Sequence, residues 1–437
     1  MPETPPRRSP LRIRPRAFLW VALGLCLLVG IGIATLDWLG ERRAGHQRAR
    51  LADDEKALAI ESGIQRIESC APPDASSTDN RWPLYLRAAA MLEIPGPKSP
   101  SEASWLPINE LLAAVGLRQR VAEARALLAA NQEALRVFEA AAELPAANLG
   151  IDYTHGLGWQ APDLDDQLSL AKLEALSGRL GLVEGSPATA ARAMRALRAQ
   201  AETLRQEPLL VALLIARSIE IRQLWLFHAL VEDPAADEDS LVSARAQVAH
   251  DDLAVRIRRI LACEYLGYEV FEEEPSQREQ APFRSGPLSQ WYRSVRLDVH
   301  HALLSLALAA ARESHVPYAV LRKRPPLAVS AETAMGERSA HLLEWDWRRD
   351  IAKVDALVSL RDLANAAADM RLLGLHRGAY DVGSFKPPSD RVSGTVATAQ
   401  ARPDGSFIIE LTADLAWQEA GMSKTARSLT HWRLPPP

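Results

Sequence analysis

The chain lacks every short motif that would announce a reaction. It has no His-Glu-x-x-His zinc helix, no Gly-x-Ser-x-Gly elbow, no P-loop and no Gly-x-Gly-x-x-Gly turn. Cysteine is scarce, with three in 437 residues. Aromatics are modest at 6%. None of the five Asn residues begins an Asn-x-Ser/Thr acceptor, which fits a bacterial envelope better than an N-glycosylating secretory route. Net positive charge is missing from most of the chain. Residues 1–16 hold five Arg and one Glu, a net +4, which leaves −8 for the rest of a chain whose total is −4. A mildly acidic body is a poor nucleic-acid binder, because phosphates need clustered cations on one face. Cofactor and metal partners are not expected.

What is present favours helices. Ala and Leu are heavily used, and both are strong helix formers. From Ala17 to Leu36 the chain reads AFLWVALGLCLLVGIGIATL, with no charge. About 20 apolar residues at 1.5 Å each cover a hydrocarbon core of roughly 30 Å, and only a helix satisfies its own backbone there. Trp20 and Trp38 stand near the two ends, where indole favours the interface. The preceding Arg cluster holds the N-terminus in the cytoplasm by the positive-inside rule, although Arg42, Arg43, Arg48 and Arg50 weaken the asymmetry. An uncleaved anchor is preferred to a signal peptide, because the apolar run continues past Gly32-Ile33-Ala34. The expected localisation is the bacterial inner membrane, single-pass, with the bulk of the chain extracytoplasmic. Cys70 and Cys263 then lie where disulfides form, as a bridge or as two separate thiols.

The expected fold is mainly α: a transmembrane helix, a helical-hairpin domain and a small C-terminal β-hairpin or three-stranded sheet. The segments are a cytoplasmic Arg-rich tip at 1–16, the anchor at 17–38 and a membrane-proximal helix at 39–70. A helical domain at 81–376 and a β-containing segment at 377–437 follow. Leu117, Val121, Ala124, Leu128, Asn131, Leu135, Phe138 and Ala142 alternate spacings of four and three within a helix expected over Asn109–Leu144. That seam suits an oligomerising coiled coil or a bundle helix packed within its own chain, and its short length favours the second. Leu164–Glu184 and Ala188–Gln206 resemble one tetratricopeptide hairpin, with no second copy at a 34-residue period. Pro208–Val231 is a core helix, interrupted by Arg217, Glu220 and Arg222. Asp239–Tyr268, Ser289–Ser314 and Thr333–His376 are helical, the last closed by Gly378. Val392–Ala401 and Ser406–Thr412 flank Arg402-Pro403-Asp404-Gly405, a turn in which Pro presets φ and Gly accepts φ > 0. Ser428–Leu434 offers a third strand.

The order of anchor, Asn80-Arg-Trp-Pro-Leu-Tyr85, Asn131…Leu144-Pro145, Ile151-Asp152-Tyr153, Val183-Glu184-Gly185, Leu375-His-Arg-Gly-Ala-Tyr380 and Trp432-Arg-Leu-Pro435 resembles a group of bacterial single-pass, membrane-anchored helical envelope proteins. That resemblance spans most of the chain and implies no catalytic residue. The C-terminal helix and hairpin distantly resemble type II secretion pseudopilins. The pilin cleavage signature, the Asp-Pro-Trp-Gly stretch and an Asp-rich Ca²⁺ loop are missing.

Candidate chemistry is thin. His300 and His301 are neighbours on a helix, so their side chains diverge by about 100°. His250-Asp251-Asp252 and Glu344-Trp-Asp346 carry metal-capable atoms, but carboxylates at helix starts serve mainly as caps. The loop with Asp152, Tyr153, His155 and Trp159 is the most enzyme-like, since a His beside an acid can shuttle protons. Asp152 and His155 are therefore the weak catalytic candidates for an envelope hydrolase. The preferred expectation is a non-enzymatic interaction or scaffold role, with the lipid bilayer (through 17–38) and other envelope proteins as partners.

Overall fold

The apolar run and the charged stretch after it form one helix, α1, Pro15–Ser62. The computed structural model describes residues 15–72, 79–93, 111, 114–154, 164–248, 252–273, 289–325, 334–412, 415–419 and 424–437. Gly63, at φ +74°, ends α1, and Ile67–Cys70 adds a single 3-10 turn. Along α1 the residues Gly40, Ala44, Gln47, Leu51 and Leu58 are buried, close to a heptad period. They face α11, Ser289–Glu313, in the most extensive helix pairing of the fold. Four contacts fix the direction of that pair. Asp37 meets the backbone of Gln290, Gln47 meets Asp298, Asp54 meets His301 and Glu61 meets Arg312. Both numbers climb together, so α1 and α11 run parallel. The third member is α10, Leu253–Glu273, tied to α1 by the Tyr265 hydroxyl donating to Glu55.

Beside this trio lie α2 (Trp82–Ala90), α3 (Ala114–Gln119), α4 (Val121–Ala130), α5 (Gln132–Ala142), α6 (Leu164–Val183) and α7 (Pro187–Gln206). Among the described residues, the single helix expected over 109–144 is broken into α3, α4 and α5. Asn131 is the reason for the second break: its Nδ2 donates to Glu93 O and Leu127 O, both at 3.0 Å, and its Oδ1 accepts from Glu93 N at 2.8 Å. A side chain that bonds backbone this way competes with the helix ladder. The seam itself is buried in its own chain, with Leu117, Ala124 and Phe138 fully enclosed. The hairpin of α6 and α7 forms as expected, with Ala190, Met194, Leu197, Ala201 and Leu204 buried. Gly185 turns between them at φ +76°.

The centre is α8, Leu210–Val231, which touches α7, α6 and the long α13, Ala334–Arg377. The helix expected over 239–268 is two, α9 (Glu238–Arg245) and α10. Asp237 starts α9 by accepting from Ser240 N at 2.8 Å. A one-turn α12, Tyr318–Leu321, follows α11. Gly378, at φ +69°, closes α13 by donating its N–H to Gly374 O at 2.8 Å.

The sheet is antiparallel in the order β1 (Thr398–Ala401), β2 (Phe407–Glu410), β3 (His431–Leu434). The first strand is shorter than expected, because 389–397 form a loop organised by Asp390. Its carboxylate accepts from Val392 N, Ser393 N and Trp417 Nε1. Two short helices absent from the sequence reading, α14 (Leu415–Glu419) and α15 (Lys424–Ser428), carry the chain from β2 to β3. The sheet shares one core with α8 and α13 through Phe227, Leu230, Phe407, Trp417 and Trp432. The outer edge of β3 is closed by α8: His228 Nε2 donates to His431 O at 2.8 Å, and Glu232 accepts from Arg433 N at 2.6 Å. Side chains here stand in for a neighbouring strand.

Candidate functional site

The loop that the sequence singles out is a structural junction. Asp152 is exposed, and its Oδ1 accepts from Thr154 N at 2.9 Å and Thr154 Oγ1 at 2.5 Å, an Asx turn. His155 and Trp159 lie outside the described residues, so no Asp152–His155 geometry is given. Tyr153 points the other way, is buried, and donates its hydroxyl to Glu207. Glu207 also accepts from Leu149 N at 3.0 Å. Burial raises the Glu207 carboxyl above its ordinary range, against the lowering pull of Tyr153, Leu149 and Arg259. Next to it Glu264 accepts from Leu210 N at 3.0 Å, and burial raises it too. Buried Glu207 thus holds the loop, and half-buried Glu264 caps the start of α8.

The same junction holds the disulfide. Cys70 and Cys263 are joined, with Cα atoms 5.7 Å apart and a sequence separation of 193. Arg259 Nη2 donates to Cys70 O at 3.1 Å. The bridge therefore ties the end of the α1 segment to α10, beside Tyr153 and Leu209 in one apolar cluster.

The interior holds a second charged group. Glu220 on α8 is clasped by Arg205 of α7 and by Arg361 of α13 at 2.6 Å, with all three side chains at 5% exposure or less. It links three helices, and the pairing compensates charges that would otherwise be costly to bury. Another buried acid, Glu174 on α6, is different. Neither carboxyl oxygen has a hydrogen-bond partner among the described residues. Burial, then the charge of Glu139, pushes it up to about 8, with Arg192 opposing. Above it, α5 and α7 leave a shallow cleft of about 220 Å³ lined by Arg136, Glu139, Glu143, Arg192 and Arg195. A second hollow, about 440 Å³, sits at the hairpin tip beside Arg402, Asp404 and Arg433. Both are open and charged, unlike the enclosed, mostly apolar shape of a small-molecule site.

No group of three or more His, Cys, Asp or Glu that could hold a metal occurs among the described residues. His301 pairs with Asp54 at 3.2 Å inside the α1–α11 seam. Asp252 accepts from Ala254 N at 2.9 Å, a cap as expected. The side chains of Glu344 and Asp346 lie outside the described residues.

The motif stretches also have structural duties. Asn80 Oδ1 accepts from Trp82 N and Asn148 N, which pins α2 to the loop after α5. Arg371 Nη1 and the Tyr380 hydroxyl both donate to Pro435 O, so the end of α13 holds the C-terminus.

The exposed apolar end of α1 is the remaining candidate. Leu27, Leu28, Ile31, Leu36, Trp38 and Leu39 leave 43–68% of their surface open on α1. Scattered exposed apolar residues are ordinary, but a contiguous run marks an interaction site. Just beyond it, Arg42 lies over the Trp38 ring, 4.8 Å from its centroid. Among the described residues no helix is long and apolar enough to cross a membrane, and the side chains at 17–26 fall outside them. The chain matches no family model, no curated protein and no solved structure.

Proposed function

We propose that this chain is a membrane-tethered, extracytoplasmic helical protein of the bacterial envelope with an interaction or scaffold role. The observation that carries this reading is the uncovered apolar run of α1, Leu27–Leu39, continuous with the uncharged residues 17–26. Water would not tolerate such a rod, whereas lipid solvates it. The Cys70–Cys263 bridge supports the same compartment, because structural disulfides persist in the periplasm and are reduced in the cytosol. A scaffold role is supported by the use of the buried acids. Glu220 and Glu264 fasten helices to one another, Glu207 fastens the end of α7 to the loop after α5, and the charged α5–α7 cleft offers a polar surface of the kind found at interface rims.

Alkaline carbonate washing of membranes tests the tether. The full chain is expected to stay in the pellet, and its release into the supernatant would overturn the reading. Cross-linking in cells, followed by capture of the full chain, tests the role. Defined envelope partners whose recovery falls in the Arg192→Glu variant are expected. A chain that captures none under several growth conditions would refute it.

A further inference from the structure

The parallel pairing of α1 and α11 sets a second helix at the membrane surface. Asp37 closes the uncharged run, and its carboxylate accepts the Gln290 N–H at 2.8 Å. The start of α11 is thereby held level with the end of the apolar segment. Along α1 at 1.5 Å per residue, Arg42 and Arg43 stand about 8–9 Å past Asp37. Arg293 stands about 5 Å past Gln290 by the same rise. All three are exposed. Headgroups occupy roughly 5–8 Å beyond the hydrocarbon in each leaflet, and Arg side chains reach back toward it along their apolar stems. Trp38 lies under Arg42, with its ring in the interfacial position that indole favours. Glu41 is the opposing acid in this layer, and Asp37 is already engaged.

We propose that Arg42, Arg43 and Arg293 form a collar that binds the phosphates of anionic phospholipids and so sets the body of the protein upright on the bilayer. This rests on the membrane-tethered reading given above. Guanidinium groups match phosphate oxygens in pairs, and two helices joined by the Asp37–Gln290 bond present them within about 3–5 Å of one another in depth, inside one headgroup layer. The occupant is a lipid headgroup rather than a soluble anion, because the same side chains border the apolar run that the acyl chains would cover.

The test uses the full chain in detergent micelles, titrated with phosphatidylglycerol or phosphatidylcholine and counted by native mass spectrometry. Phosphatidylglycerol should be retained preferentially. The preference should fall about fivefold for each Arg→Gln change, and by less in the Arg→Lys versions, which keep the charge but lose the paired geometry. Equal retention of the two lipids, or a preference untouched by the R42Q/R43Q/R293Q triple variant, would overturn the collar while leaving the tether intact. Displacement of the lipid by millimolar inorganic phosphate would also overturn it. Release of the chain from membranes by alkaline carbonate would remove the tether and the collar together.

Discussion

Replacing Glu220 with Gln should be among the most damaging single changes in the body of the protein. The carboxylate sits between Arg205 and Arg361, both with side chains at 5% exposure or less. Gln keeps the shape and one acceptor oxygen, but it turns an amide NH₂ toward one guanidinium. Two cations are then buried against a neutral group. Breaking a buried ion pair from one side costs about 3–5 kcal/mol, because the remaining charge is left uncompensated. With a urea slope of about 3 kcal/mol/M, the midpoint should drop by roughly 1–1.7 M at unchanged slope. Tryptophan fluorescence of the full chain in micelles reads this directly. The Arg205→Met, Glu220→Leu, Arg361→Met triple variant should by contrast lie near wild type, since apolar replacement of a whole buried cluster is often neutral or better. A loss under about 1 kcal/mol for Glu220→Gln would mean that water reaches the cluster and that α7, α8 and α13 are not fastened there.

Three further outcomes follow from the same packing. Glu174 has a folded pKa of about 8, above its unfolded value, so the unfolded chain ionises first as pH rises; stability should fall between about pH 4.5 and 8. Glu174→Gln should remove that slope in a pH series of urea midpoints and gain at most about 3–5 kcal/mol at pH 8, shrinking to little at pH 5. A Cβ on Gly181 would meet Thr189 Cβ at 2.6 Å, whereas one on Gly45 meets nothing within 4 Å. Gly181→Ala should therefore cost about 1–3 kcal/mol while Gly45→Ala stabilises by up to about 1, a difference of sign that thermal melts resolve. Cys263→Ser opens a 193-residue loop and should cost up to about 5 kcal/mol, with a slower band on a non-reducing gel showing the loss of the bridge.

Local signals make much of the architecture legible, whereas contacts between residues distant along the chain leave no such mark. Pro403-Asp404-Gly405 reveals the hairpin because turn chemistry is local: Gly405 takes φ +80°, and Ser406 N donates to Asp404 Oδ1 at 2.9 Å. The α6–α7 hairpin is legible for the same reason, with Gly185-Ser186-Pro187 between two periodic stretches. The break at Asn131 escapes such reading, because its partner, the Glu93 backbone, is 38 residues away. The parallel α1–α11 pairing escapes it too, since Asp37 and Gln290 are 253 residues apart. Arg217, Glu220 and Arg222 are visible as interruptions of an apolar helix. That Glu220 collects Arg205 and Arg361 is visible only in three dimensions. Of the candidate loop, only the part up to Thr154 is described. Asp152 proves to be a turn residue, while its neighbour Tyr153 carries the buried contact to Glu207.

The compartment of the two ends of α1 is the most direct test of the whole account. Ile60 is 76% exposed and lies on the body side, while Arg12 lies on the Arg-rich tip. In spheroplasts, an Ile60→Cys chain should react at once with a membrane-impermeant maleimide, and an Arg12→Cys chain should react only after detergent is added. Labelling of Arg12→Cys in intact spheroplasts, with Ile60→Cys protected, would contradict the proposed orientation and compartment.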